Sequence, residues 1–149
     1  VPKAKTDLDE QQGDIMSYDL KILKWLLFAG AVYFAAISTV HMLGIKVPML
    51  FIFFNVPSYM YQDRIISFLA FGWAVFLFTA FTDPQKNSAL VKAILVAGAG
   101  ALIGLSIINS FTNFQSLDPA ININVFWLET AGVFAYWLSL VIFYFRSNR

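Results

Sequence analysis

Two ionisable side chains interrupt long apolar stretches of this chain: His41 in "AAISTVHMLG" and Glu129 in "VFWLETAGV". Imidazole changes charge near neutral pH, so a histidine and a glutamate within hydrogen-bond reach could pass a proton as general acid and base. An unpaired ionisable group at the centre of a membrane costs about 2.5–3.5 kcal/mol on insertion scales, and Glu129 is therefore expected to have a partner. Arg64, Tyr136 and Asn109 are the candidates. Helical steps from Glu129 reach Gly132, Tyr136 and Ser139, a narrow polar and small stripe on one face. The same steps put Ser38 on the His41 face, and Ser106 and Asn113 on the Asn109 face.

Other chemistry is excluded by residue type. The chain has one His and no Cys, which removes thiol catalysis, disulfides and bis-histidine haem ligation, and leaves a zinc site only an unusual set of one histidine with carboxylates. No P-loop, GxSxG or HExxH is present. The glycines of "AGAGALIG" sit in a hydrophobic run with no strand before it, so a dinucleotide fingerprint fails too. The expectation is no metal and no resident cofactor beyond a bound lipid or quinone.

The elements that must position these residues are membrane helices. At 59% hydrophobic and 13% charged, the 149 residues carry more apolar surface than one soluble domain can hide. Four apolar runs approach the roughly 20 residues needed to cross a bilayer: about 25–43, 65–81, 89–108 and 125–145. The first is expected to act as its own insertion signal and to stop where Gly44 takes a left-handed C′ position ahead of Pro48. Asp83-Pro84 ends the second; Asn87 or Ser88 caps the third, and Asn124 the fourth. The fold class is thus all-α, an antiparallel bundle of four transmembrane helices in residues 21–149, after a polar tail over residues 1–20 that Pro2 and Gly13 should keep irregular.

Orientation follows from the basic residues. Lys3, Lys5, Lys21, Lys24, Lys86, Lys92, Arg146 and Arg149 fall on one side, against Lys46 and Arg64 on the other. By the positive-inside rule both termini are cytoplasmic, in what is expected to be a bacterial cytoplasmic membrane. A net charge of +1 gives no reason to expect nucleic acid as a partner.

The first outer connection, "VPMLFIFFNVPSYMYQDR", is too apolar for an exposed loop, and its prolines leave room for only about eight helical residues, near 12 Å. It is expected to form a short amphipathic or re-entrant helix, broken at Pro57, with Ser58 capping the next helix. As an antiparallel bundle brings His41, Asp63, Arg64, Asn109 and Glu129 to one depth, this segment would close a polar cluster from outside. The candidate ligand-binding residues are His41, Asn55, Asp63, Arg64, Asn109, Glu129 and Tyr136. A separate stripe, Ala93, Ala97, Gly100, Ala101 and Gly104, has the spacing that lets helix backbones approach closely in lipid, within the chain or between copies.

In general layout the four spans resemble small DoxX-like and related four-helix membrane proteins. No motif carries a site residue over from them. Three functions fit the residues. The leading one is a non-catalytic accessory or assembly subunit of a larger membrane complex, with a homo-oligomer as the other assembly. The second is a binding protein for a lipid, quinone or other apolar molecule in an outer-leaflet pocket. The third is a small transporter or membrane enzyme that moves protons through His41 and Glu129.

Overall fold

The computed structural model describes residues 3–48 and 50–148, and of residues 3–17 the backbone alone. Val1, Pro2 and Arg149, and the side chains of Lys3 and Lys5, lie outside the described residues. The chain forms four helices, α1 (Lys3–Leu43), α2 (Met60–Thr82), α3 (Ser88–Phe111) and α4 (Ile123–Ser147), with a 3-10 turn at Phe114–Ser116 before α4. There is no strand among the described residues. Tyr18–Leu43 and the whole of α2, α3 and α4 are long and apolar enough to cross a membrane, as expected of an integral membrane protein with a four-helix bundle. The 26 residues of Tyr18–Leu43 rise roughly 39 Å, enough to cross about 30 Å of hydrocarbon with some tilt. The backbone of residues 3–20 continues α1 as helix, where an irregular tail was expected.

The helix ends show which local signals win. α1 stops as anticipated: Gly44 has φ 67°, its N–H donates to the His41 carbonyl, and the Ile45 N–H donates to the Val40 carbonyl at 2.9 Å. This is the paired bonding of a Schellman motif, which satisfies carbonyls the helix leaves free. α2 begins five residues before the apolar run at Ile65, because the Gln62 side chain reaches back to accept from the Tyr59 N–H at 3.0 Å. Ser58 does not cap it; its hydroxyl donates to the Asp63 carboxylate at 3.1 Å. α4 is capped by Asn122 and not by Asn124: the Asn122 side chain accepts from the Asn124 N–H at 3.0 Å. Asn87 is the cap residue of α3 by position only, since its amide donates to the Thr79 carbonyl of α2.

The bundle is packed at one end and hollow at the other. Asp19 and Arg146 meet at 3.0 Å, and Lys24 donates to the Thr82 carbonyl at 3.3 Å, so both chain ends and the α2–α3 turn share one end. There Leu23, Leu27, Ala31, Leu77, Ala80, Val91, Ile94, Leu95, Leu140 and Tyr144 form a closed core. Around the ring, α1 packs on α2 and α4, and α4 on α3; α2 and α3 touch least. At the opposite, loop end, a second cluster joins the two connections. Phe53 stacks on Phe114 with centroids 5.6 Å apart and meets Phe126 edge-on at 5.1 Å.

The α1–α2 connection contributes Ile52, Phe53 and Val56 to this second cluster. Residues 50–56 are consecutive turns, with i to i+3 bonds from the Leu50 N–H to the Val47 carbonyl and from the Val56 N–H to the Phe53 carbonyl, in place of the short helix expected. So short a segment gains few bonds against the cost of nucleating a helix. The Leu50 carbonyl, moreover, accepts from the Tyr33 hydroxyl at 2.9 Å. Tyr33 lies ten residues before the end of α1, about 15 Å of helix rise, so even allowing for the length of its side chain the connection dips into the bundle.

Candidate functional site

The hollow half of the bundle lines a half-open cavity of about 1310 Å³, to which all four helices and the dipping connection contribute. Along α1 its wall runs from Ala29 to His41 and along α4 from Leu128 to Leu140, each about 18 Å of helix rise. The volume exceeds the roughly 300–1,000 Å³ of ordinary small-molecule sites and approaches the scale of a lipid. The walls are aliphatic and aromatic, with Phe34 stacked on Trp73 at 5.8 Å. Ile65, Ile66 and Ile108 line it from α2 and α3 yet remain exposed.

Small residues create the space. A Cβ on Gly30 would collide with the Tyr136 hydroxyl, and one on Gly98 would come within 2.7 Å of the Trp137 ring, so these two glycines are the close-packing ones. Tyr136 and Trp137 reach across to backbone carbonyls of neighbouring helices, Leu26 at 2.9 Å and Leu95 at 2.8 Å. The GxxxG pair behaves otherwise. Gly100 and Gly104 have nothing within 4 Å of where a Cβ would stand, and Ala93, Ala97, Gly100 and Ala101 are exposed. The stripe is therefore not a helix contact within this chain. Ala101 and Gly104 border the cavity.

Polar groups gather at the loop end. His41 Nδ1 stands 3.4 Å from Asp63 Oδ1, and the imidazole lies flat on Phe51 with centroids 4.1 Å apart, so the last turn of α1, the first turn of α2 and the connection are held together. Lys46 donates to the Val56 carbonyl at 2.8 Å. Glu129, on the second turn of α4, also lines the cavity. Both its carboxylate oxygens are buried, and neither has a hydrogen-bond partner among the described residues.

Of the candidate ligand-binding residues, the structure brings His41, Asp63, Glu129 and Tyr136 onto this one cavity. It does not bring Arg64, Asn55 or Asn109 there. Arg64 is exposed on α2; Asn55 is half-buried with its Oδ1 unpartnered; Asn109 is buried and donates to the Thr130 hydroxyl at 3.0 Å, tying α3 to α4. The partners expected for Glu129 are all engaged elsewhere or absent from its surroundings, and no hydrogen bond joins it to His41. Ser38 faces α2, with its hydroxyl 3.4 Å from that of buried Ser67. No group of residues suited to holding a metal ion occurs among the described residues.

Tyr33, Lys46, Trp73 and Trp137 belong to the site and were missed. For Tyr33 the signal was present: Gly30, Tyr33, Phe34, Ile37 and His41 recur at helical spacing on one face, and all five line the cavity. The chain matches no protein-family model, no curated protein and no solved structure.

Proposed function

We propose that this integral membrane protein binds an apolar small molecule of lipid or quinone type inside the bundle. One observation carries the reading: an apolar cavity of about 1310 Å³ with a carboxylate at its loop end whose two oxygens have no partner among the described residues. Stable proteins satisfy buried polar groups, and an exception calls for a missing partner. A large apolar space with a few convergent polar groups is also the usual form of a ligand site. The positive-inside count places the termini in the cytoplasm in this reading, which puts Glu129 and the dipping connection towards the outer leaflet. The exposed Ile65, Ile66 and Ile108 of the lining would then face the acyl chains from which such a ligand would come.

The test is native mass spectrometry on protein extracted gently from its own membrane. A defined extra mass of a few hundred daltons, retained by the wild type and depleted in Glu129→Gln, is the expected result. Protein that emerges with its full complement of copies but without any bound small molecule rejects the reading.

An accessory or assembly role, or a homo-oligomer, is favoured by a different observation, the exposed and unpartnered Ala93, Ala97 and Gly100 on α3. Small residues exposed to lipid are the usual surface for close helix association. The same spectrum tests it, since larger polypeptides or a second copy would travel with the protein.

A further inference from the structure

We infer that the molecule held in the cavity presents a hydrogen-bond-donating head, an ammonium or hydroxyl, to Glu129, and that acceptor-only and anionic heads are disfavoured. This rests on the binding role proposed above and specifies its ligand class. The argument is an inventory of donors and acceptors. The hydroxyls of Tyr33 and Tyr136, the indole of Trp137 and the ammonium of Lys46 all donate to backbone carbonyls. The Ser58 hydroxyl donates to Asp63. His41 turns Nδ1 towards the Asp63 carboxylate, which favours the proton on that nitrogen and leaves Nε2 as one more acceptor while the ring is neutral.

Three lining side chains still have an N–H to give, Trp73, Gln62 and the exposed Lys46, and none bonds Glu129. Trp73 is ten residues beyond Asp63 on α2, about 15 Å further towards the closed core. Gln62 is exposed at the rim, with its oxygen committed to the Tyr59 N–H. The buried side-chain polar atoms of the lining that have no partner among the described residues are therefore the two Glu129 oxygens, and both are acceptors when ionised. A head complementary to them must donate. An ammonium would also supply a counter-charge to Glu129, with which the one fixed cation of the lining, Lys46, makes no bond among the described residues. An oxidised quinone offers only carbonyl acceptors, whereas the reduced quinol offers two hydroxyl donors, so within that class the inference selects the reduced form.

The test uses four chain-matched probes: hexadecylamine, 1-hexadecanol, hexadecyl methyl ether and hexadecanoate. An equimolar mixture is added to the full chain in detergent, and retained masses are read by native mass spectrometry. The expected result is retention of the amine and the alcohol over the ether and the acid by roughly tenfold, the size of one well-made hydrogen bond to a charged group. Glu129→Leu should retain all four weakly and alike. Glu129→Gln, whose amide both donates and accepts, should bring the ether up to the level of the alcohol. Equal retention of ether and alcohol by the wild type, or an unchanged preference in Glu129→Leu, overturns the inference while leaving apolar binding intact. Retention of none of the four by the wild type would sink the binding role, and the head preference with it.

Discussion

Tyr136 of α4 donates its hydroxyl to the Leu26 carbonyl of α1, and that hydroxyl occupies the space that a side chain on Gly30 would need. The glycine and the tyrosine together set how closely α1 and α4 approach at the floor of the cavity. Gly30→Ala should destabilise the protein by about 1–3 kcal/mol, the usual range for overpacking. Tyr136→Phe should lose about 1 kcal/mol from the hydrogen bond alone. As the hydroxyl is the atom nearest the added methyl, the double variant should lose less than the sum. Thermal unfolding in detergent checks this, and strict additivity would mean the contact is not made.

The glycines of α3 separate in the same way. Gly98→Ala pushes on Trp137 and endangers its bond to the Leu95 carbonyl, so it should cost about 1–3 kcal/mol. Gly100→Ala and Gly104→Ala meet nothing and should raise monomer stability by up to about 1 kcal/mol through helix propensity. The reverse order in unfolding experiments would contradict the packing. A loss of oligomer in Gly100→Ala with an intact monomer would identify the stripe as a surface between copies.

At the terminal end, Asp19 is buried at 2% exposure while its partner Arg146 is 48% exposed. Removing the arginine leaves a buried carboxylate unpaired. Breaking a fully buried pair costs about 3–5 kcal/mol, and the exposure of the guanidinium reduces that here to about 1–3 kcal/mol. Arg146→Ala should therefore destabilise, and Asp19→Asn added to it should recover part of the loss. If Arg146→Ala unfolds at the wild-type temperature, the pair contributes nothing.

How much of this was readable beforehand depends on the range of the interactions. The four helices were legible because an apolar run near 20 residues long has one outcome in a bilayer, and the end of α1 was legible because Gly44 and Pro48 act within a few residues. The start of α2 was not, since Gln62 and Tyr59 extend the helix through polar residues that hydropathy assigns to a loop. The depth of His41, Asp63 and Glu129 followed from antiparallel crossing, but which of them pair did not. Asp63 turns to His41 and Ser58, and leaves Glu129 alone. Gly98 was passed over for the GxxxG because only the position of Trp137, 39 residues on, decides which glycine is packed. Asp19 looked like part of the tail because its partner lies 127 residues away.

The dipping connection is held by side chains that can be cut one at a time. Tyr33→Phe removes the bond to the Leu50 carbonyl, and His41→Ala removes both the approach to Asp63 and the stack on Phe51. Each should raise amide exchange across residues 50–56 while leaving α3 and the closed core protected, because those elements do not touch the lost groups. Hydrogen exchange read by mass spectrometry resolves the segment. Uniform acceleration over the whole chain would show instead that the connection is part of the global fold and does not open separately.

Glu129 should be a liability to the empty protein. A buried carboxylate without a hydrogen-bond partner carries a desolvation penalty of about 1–3 kcal/mol or more, which no bond among the described residues offsets. Glu129→Leu removes that penalty and adds apolar surface facing a cavity with room for it. Delipidated Glu129→Leu should therefore unfold at a higher temperature than delipidated wild type. In the native membrane extract the order should narrow or invert, because a ligand bound to the folded state stabilises the wild type by mass action and the variant much less. A residue that weakens the empty fold and strengthens the loaded one is explained by the ligand it holds. A purely structural Glu129 would give the opposite pattern, with Glu129→Leu less stable in both preparations by the same amount.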